Sequence, residues 1–267
     1  MEPQSAELVR LWRDRRLLLD LAGREFHRSF SGSALGIWWR FLQPVISIVL
    51  LTVVFSSVIP VTVAGRSGYG GYALFLCSGF LPWLSIDETA KSACTYFTDR
   101  GDLIRHTAHP RLLFVLAPVL VAGTMLLFSL LVLLAVSLVL GHRLGLAVLL
   151  LVPLIALHGL FLVGIGLTFS TLHLVFRDTL EILKNTLPLL FWLTPIVYHP
   201  LVLPERLQFL VSYNPFSYLL ACYRAIILED HAPDVFSVGV FGLMTAVSLL
   251  VGLALFRRVA DTLADRV

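Results

Sequence analysis

The sequence has little charge. Only 14% of its 267 residues are Asp, Glu, Lys or Arg, while 58% are hydrophobic. A soluble domain averages roughly 25% charged residues, so the composition excludes a water-exposed globular protein and points to an integral membrane protein. Lysine nearly vanishes. Lys91 and Lys184 stand alone, neither follows a glycine loop, and no GxxxxGK[ST] occurs, so no P-loop for ATP is expected in this chain. There is no HExxH and no Cys-His cluster; His106 and His109, spaced i, i+3, read as polar interface rather than a metal pair. There is no GxSxG nucleophile elbow. Cys77, Cys94 and Cys222 form no CxxC and read as small buried hydrophobes. The N-terminal segment is rich in charge and has no early apolar run, so a secretory signal peptide is not expected. No internal repeat is visible and no linker divides the chain, which reads as one transmembrane domain over 1–267. A membrane enzyme needs a converging acid, base or metal constellation. The polar residues sit instead at membrane margins and on cytoplasmic loops, a pattern that suits a passive pathway driven by another protein.

What the chain does have is apolar runs. The pattern predicts an all-α fold of six transmembrane helices, at about 37–60, 69–93, 112–140, 146–172, 181–198 and 235–256. Ahead of them, residues 5–28 place Leu8, Leu11, Trp12, Leu18, Leu19, Ala22 and Phe26 at helical spacing between charges, an amphipathic helix for the membrane interface. Trp38, Trp39 and Arg40 open the first span where an aromatic belt belongs. Gly159, Gly164 and Gly166 in the fourth span allow a neighbouring helix to come close. With the N-terminus inside, only Arg66, Arg143, Arg206 and Arg224 face out; the other sixteen of 20 Lys and Arg face the cytoplasm.

The stretch from Phe176 to Leu228 is the least regular. Its apolar run is broken at Pro188 and Pro195 and stops at His199-Pro200; two short apolar pieces follow, divided at Asn214-Pro215. Neither piece reaches the roughly 20 apolar residues of a crossing helix. A seventh span there would put Arg257, Arg258 and Arg266 outside, so charge favours a re-entrant loop over about 203–228. Non-helical backbone at membrane depth survives only against protein or a water-filled cavity, which makes this stretch the candidate gate. Pro188, Trp192, Pro195 and Tyr198 recur at three- or four-residue spacing and predict one aromatic helix face beside Phe191. Counted from Glu181, Trp192 falls roughly 17 Å along the helix, near the middle of a core about 30 Å thick. Trp38, Trp39 and Phe41 continue that wall at the cytoplasmic mouth, although an interfacial belt explains the two tryptophans equally well. His158, in mid-span, reads as a neutral histidine bonded to a neighbouring helix. Asp87 and Glu88 read as structural partners of Lys91.

Several short patterns carry a resemblance. Ser33-Ala34-Leu35-Gly36-Ile37-Trp38-Trp39 with Leu42-Gln43-Pro44, Gly79-Phe80-Leu81-Pro82-Trp83, His109-Pro110-Arg111, Phe176-Arg177-Asp178, Leu193-Thr194-Pro195, Leu203-Pro204-Glu205-Arg206 and Asn214-Pro215 occur in this order. Each is weak alone. Together they resemble the permease subunits of ABC-2 type ABC transporters, and more narrowly those that export O-antigen, capsule or teichoic acid on a lipid carrier. The resemblance implies a homodimer of permeases in a bacterial cytoplasmic membrane, both termini cytoplasmic. Two copies of a separate P-loop ATPase would carry the ATP and Mg; no cofactor is expected in this chain, and no nucleic acid. It implies coupling to that ATPase near residues 96–106 and 173–180, with Asp99, Asp102, Arg105, His106, Arg177 and Asp178 as contacts. It implies a gate that includes Asn214 and Pro215. The family often carries basic residues and a Tyr just before its S-x-L-G; here those places hold Ser29, Phe30 and Ser31, which moves the expected head-group contact to Arg24, Arg28 and Arg40. An ABC-2 exporter of a drug or small lipid tends to have a larger external domain between spans one and two, and that loop is short here. A membrane-embedded glycosyl- or acyltransferase would need the missing catalytic cluster.

Overall fold

The computed structural model describes residues 14–28, 36, 38–56, 69–96, 98–100, 112–142 and 144–260. It is all-helical, with no strand among the described residues. The helices are α1 (Arg15–Arg28), α2 (Trp38–Phe55), α3 (Tyr69–Tyr96), α4 (Leu112–Val139), α5 (Leu151–Val175), α6 (Thr179–Leu193), α7 (Gln208–Ser212), α8 (Pro215–Ile227) and α9 (Val235–Ala260), with short 3-10 turns at Thr98–Arg100, Leu146–Leu150, Pro200–Val202 and Glu205–Leu207. Helices satisfy their own backbone, which is what a hydrocarbon solvent demands. Four stretches are long and apolar enough to cross a membrane: Tyr69–Tyr96, Leu112–Val139, Leu146–Val175 and Val235–Val259. Leu42–Phe55 and Pro215–Ile227 are apolar but shorter.

The fifth expected span differs most from its prediction. The helix begins at Thr179 and ends at Leu193, five residues before Tyr198. Pro195 is the cause. It excludes the helical conformation at the residue before it, and Thr194 is extended at φ −88, ψ 138. The first span is helical over Trp38–Phe55; residues 57–60 of the expected span lie outside the described residues.

α3 is the hub. It packs against α2, α4, α5, α6 and α8, and buries residues around its whole circumference. The most extensive helix pair is α5 with α9. These two meet at glycines: a Cβ on Gly252 would come within 2.6 Å of the Gly164 carbonyl oxygen and 2.8 Å of Leu167 Cβ. A Cβ on Gly166 would come within 2.6 Å of Val119 on α4. Gly159, expected to act with them, has nothing within 4 Å, although His158 beside it meets Phe241 of α9.

α1 lies across one end of the bundle. Its Leu21 is buried in a cluster with Tyr96, Phe114, Val115, Ala117, Leu167 and Phe256, while Leu19 is exposed. The amphipathic pattern therefore covers the end where α3 stops, α4 starts and α9 finishes. Residues 5–13 of the expected interface helix lie outside the described residues.

The glycine crossing gives a direct test. Gly252→Leu should cost about 1–3 kcal/mol through overpacking, whereas Gly239→Ala, with nothing within 4 Å, should be neutral or stabilise by up to about 1 kcal/mol through helix propensity. Thermal unfolding of both variants in one detergent checks this; equal stability would show that the crossing is not tight.

Candidate functional site at the helix break

A helix that stops leaves its last four carbonyls without partners. At the end of α6 the next residues, Thr194 to Val197, are buried rather than solvated. Each freed carbonyl must find a donor in the protein, since leaving one bare costs about 1–3 kcal/mol. Leu190 O accepts from Thr194 N at 2.9 Å and Thr194 Oγ1 at 2.7 Å. Leu193 O accepts from Tyr198 OH at 3.1 Å and, at 3.4 Å, from Asn214 Nδ2. Arg224 Nη2 donates to Pro195 O at 2.7 Å and to Ile196 O at 3.3 Å. Tyr72 OH donates to Val197 O at 2.7 Å.

Apart from Thr194 and Tyr198, these donors come from two other helices. α8 starts at Asn214, whose Oδ1 accepts from Phe216 N at 3.0 Å, with Pro215 at the first helical position. The amide of the same cap donates to Thr194 Oγ1 at 2.8 Å. One asparagine thus starts α8 and ties it to the end of α6. Arg224 lies farther along α8, is only 9% exposed, and sits over the Phe75 ring at 3.8 Å. Tyr72 and Phe75 belong to α3. Gly79, one turn on, leaves the space that Arg224 uses: a Cβ there would come within 3.1 Å of Arg224 Nη2 and 3.4 Å of Ile196 Cα.

Aromatic rings brace this clasp. Phe191 of α6 meets Phe80 at 5.9 Å and Trp83 at 6.2 Å between centroids. Trp83 meets Phe216 of α8 at 5.4 Å, and Phe216 meets Phe161 of α5 at 6.2 Å. Three of the short sequence patterns, Gly79–Trp83, Leu193–Pro195 and Asn214–Pro215, therefore converge on one place. Deeper in, His158 bonds Tyr223 OH through Nδ1 at 3.0 Å and Ser85 Oγ through Nε2 at 3.3 Å, the neutral bridging histidine that was expected. Lys91 pairs with Asp87 at 2.8 Å, and all three cysteines are free and buried.

The predicted residues are distributed unevenly. Phe191 turns inward, while Trp192 is 52% exposed and touches Phe55 of α2 at 6.4 Å. Pro195 and Tyr198 lie past the end of α6, so they do not share a helix face with Pro188 and Trp192; the spacing was counted through a proline that ends the helix. Trp38 and Trp39 are exposed on α2. Arg24 is exposed on α1, and the side chains of Arg28, Arg40 and Phe41 lie outside the described residues. Asp99 is exposed in the turn after α3, and Arg177 and Asp178 are exposed in the turn between α5 and α6. Asp99 and Arg177 are both electrostatic neighbours of His173, so the two turns stand at one end of the bundle. Asp102, Arg105 and His106 lie outside the described residues. Arg224, counted from sequence among the outward charges, is buried in the clasp instead. Its position in an apolar run was a signal of function; Tyr72 and Gly79 gave none of their role.

The clasp predicts a graded loss. Arg224→Met keeps the bulk but leaves two carbonyls without their donor, and should cost about 1–3 kcal/mol. Tyr72→Phe removes one neutral hydrogen bond and should cost about 1 kcal/mol. Thermal unfolding of the purified chain measures both; an unchanged Arg224→Met protein would show that the carbonyls find other donors.

The ABC-2 type transporter family matches residues 16–228, a stretch that takes in the whole clasp. The chain is 26% identical over 250 residues, 93% of its length and 94% of the relative's, to an O-antigen export system permease protein RfbA of Klebsiella pneumoniae. It is 26% identical over 230 residues, 85% of its length and 86% of the relative's, to a protein of the same description from Myxococcus xanthus. Four membrane-length helices, a buried helix break held by side-chain donors and a family match across most of the sequence agree, and the chain belongs to the ABC-2 type transporter family.

Proposed function

We propose that this chain is the membrane-spanning subunit of an exporter that moves lipid-linked polysaccharide across a bacterial cytoplasmic membrane. The observation that carries the reading is the extent of the likeness: O-antigen export permeases align with nearly the whole chain, clasp included. In this reading α2, α3, α4, α5, α6 and α9 are six crossings, and α7 with α8 forms a re-entrant gate. Two contacts support that path for α8. Its start, Asn214, lies beside Thr194, and its last carbonyl, Ile227 O, accepts from His142 Nε2 at 2.7 Å just past the end of α4. A helix of 13 residues, roughly 20 Å long, then rises from within the membrane to the outer end.

Six crossings and half a gate enclose no pathway, whereas a symmetric pair does. The working unit is thus a homodimer of this chain with two copies of a P-loop ATPase, which binds the ATP and Mg. Asp99, Arg177 and Asp178 face that ATPase on the cytoplasmic side in this reading, and the sequence assigns Asp102, Arg105, His106 and both termini to the same side. Arg24, Arg28 and Arg40 meet the anionic head group. Trp192 with Trp38, Trp39, Phe41 and Tyr198 lines the route, and Phe191 holds Trp192 from behind. A flat aromatic surface contacts the apolar face of a sugar ring without fixing any one hydroxyl, which suits a long repeating substrate.

Export is tested in cells. Deleting the gene should abolish surface polysaccharide, and the wild-type gene should restore it. Trp192→Ala should restore little while still co-purifying with the ATPase; normal export by that variant would remove the aromatic route. Orientation is tested separately. The native cysteines are buried, so a cysteine placed at Arg206 should react with an impermeant thiol reagent from outside, and one at Asp99 only after the membrane is opened. The reverse pattern would invert the topology.

A further inference from the structure

A cavity of about 420 Å³, with charged groups set in a largely apolar wall, opens between the loop after the helix break, α8 and the start of α9. That size is within the roughly 300–1,000 Å³ of small-molecule sites. Arg224, Ser217, Tyr218, Glu229, His231 and Asp234 are in its wall. Several of these groups are already positioned. Asp234 caps α9 through Oδ2, which accepts from Ser237 N at 3.2 Å, and Asp234 Oδ1 has no part in that cap. His231 faces two acceptors, Ala232 O at 2.8 Å and Glu229 Oε2 at 2.6 Å. Those two, the carbonyl foremost, hold the imidazole above its ordinary value. Arg224 Nε and Ser217 Oγ are buried and have no partner. A native interior rarely leaves such groups unmatched without a reason.

The wall selects among ligands. Among the described residues no three His, Cys, Asp or Glu side chains are placed to hold a metal ion. Two carboxylates, Glu229 and Asp234, balance Arg224 and His231 in the same wall, so the cavity has no excess of positive charge to select a phosphate or an acid. A hydrocarbon chain would leave the charged wall unsatisfied. A neutral ring bearing hydroxyls fits: it donates to the carboxylates, accepts from Arg224 or Ser217, and lays an apolar face on Tyr218, whose own hydroxyl is engaged with Ser212 O at 2.7 Å.

We infer that this cavity is a binding subsite for an uncharged saccharide unit, next to the clasp at the end of the bundle opposite the Arg177–Asp178 turn. The inference rests on the polysaccharide-export reading and names a contact within it. Because Arg224 serves both the clasp and the cavity wall, an occupied subsite sits against the same side chain that holds the helix break.

The test uses the purified full-length chain in detergent and saturation-transfer NMR. The probes are methyl α-mannoside and methyl β-galactoside, with methyl glucuronoside and inorganic phosphate as charged competitors. The neutral glycosides should bind, and Asp234→Asn and Glu229→Gln should each weaken binding about tenfold. Asparagine caps a helix as well as aspartate does, so Asp234→Asn keeps α9 intact. Binding unaffected by both substitutions, no glycoside binding, or stronger binding of glucuronoside or phosphate would each overturn the subsite. Binding is read without transport. Absent glycoside binding in a protein whose deletion abolishes surface polysaccharide removes the subsite and leaves export standing. Binding that persists where deletion leaves surface polysaccharide intact upholds the subsite and removes the export reading.

Discussion

A backbone that leaves the helix inside a low-dielectric interior must bring its own hydrogen-bond donors. The rest of this molecule depends on how it meets that condition between Leu193 and Val197. The donors are Tyr72 on α3, Arg224 on α8, Asn214 that also starts α8, and Tyr198 just past the break. Arginine is the only side chain with enough donors in a fixed fork to serve neighbouring carbonyls while stacking on an aromatic face. Its charge needs that company. The Phe75 ring on one side and the carbonyl dipoles on the other supply it, with the Glu229 carboxylate as an electrostatic neighbour.

Packing around the clasp follows from the same need. For Arg224 to reach the Pro195 and Ile196 carbonyls, α3 must present no side chain at Gly79. Trp83, one turn beyond, is inserted between Phe191 and Phe216 and so sets the distance between α6 and α8. Backbone satisfaction, an absent side chain and an oversized one act on three successive turns of one helix. The wholly buried character of α3 is the sum of these roles.

Much of the architecture was legible in the sequence, because hydropathy over a span-length window is a strong signal. The membrane class, the helical fold, the bridging role of His158, the Asp87–Lys91 pair and the buried cysteines could all be read from composition or from spacing within one helix. The misreadings have specific causes. The aromatic face through Trp192 and Tyr198 assumed an uninterrupted helix, and Pro195 ends it. Arg224 was assigned by charge bookkeeping to the outer surface, when its partners are carbonyls some 28 and 29 residues back along the chain. Gly159 shares its helix with Gly164 and Gly166 but has nothing within 4 Å, which composition does not record. Tyr72 gave no signal, since its partner Val197 lies 125 residues away and only the fold brings them together.

The glycine crossing of α5 and α9 has a mechanical consequence. With two backbones in direct contact there, sliding or rotating one against the other meets hard atoms at once, and α3 and α4 pack against α5 of that pair. These four helices form a stator. α2 and α6 are hung on it more lightly, α2 on α3 and α6 chiefly on α3, and they touch each other through Phe55 and Trp192. A displacement of the Arg177–Asp178 turn bears directly on α6, which starts at Thr179, while the clasp past Leu193 anchors its far end. With that end held, the geometry leaves α6 a swing about it, toward or away from α2, against the frame of α5 and α9.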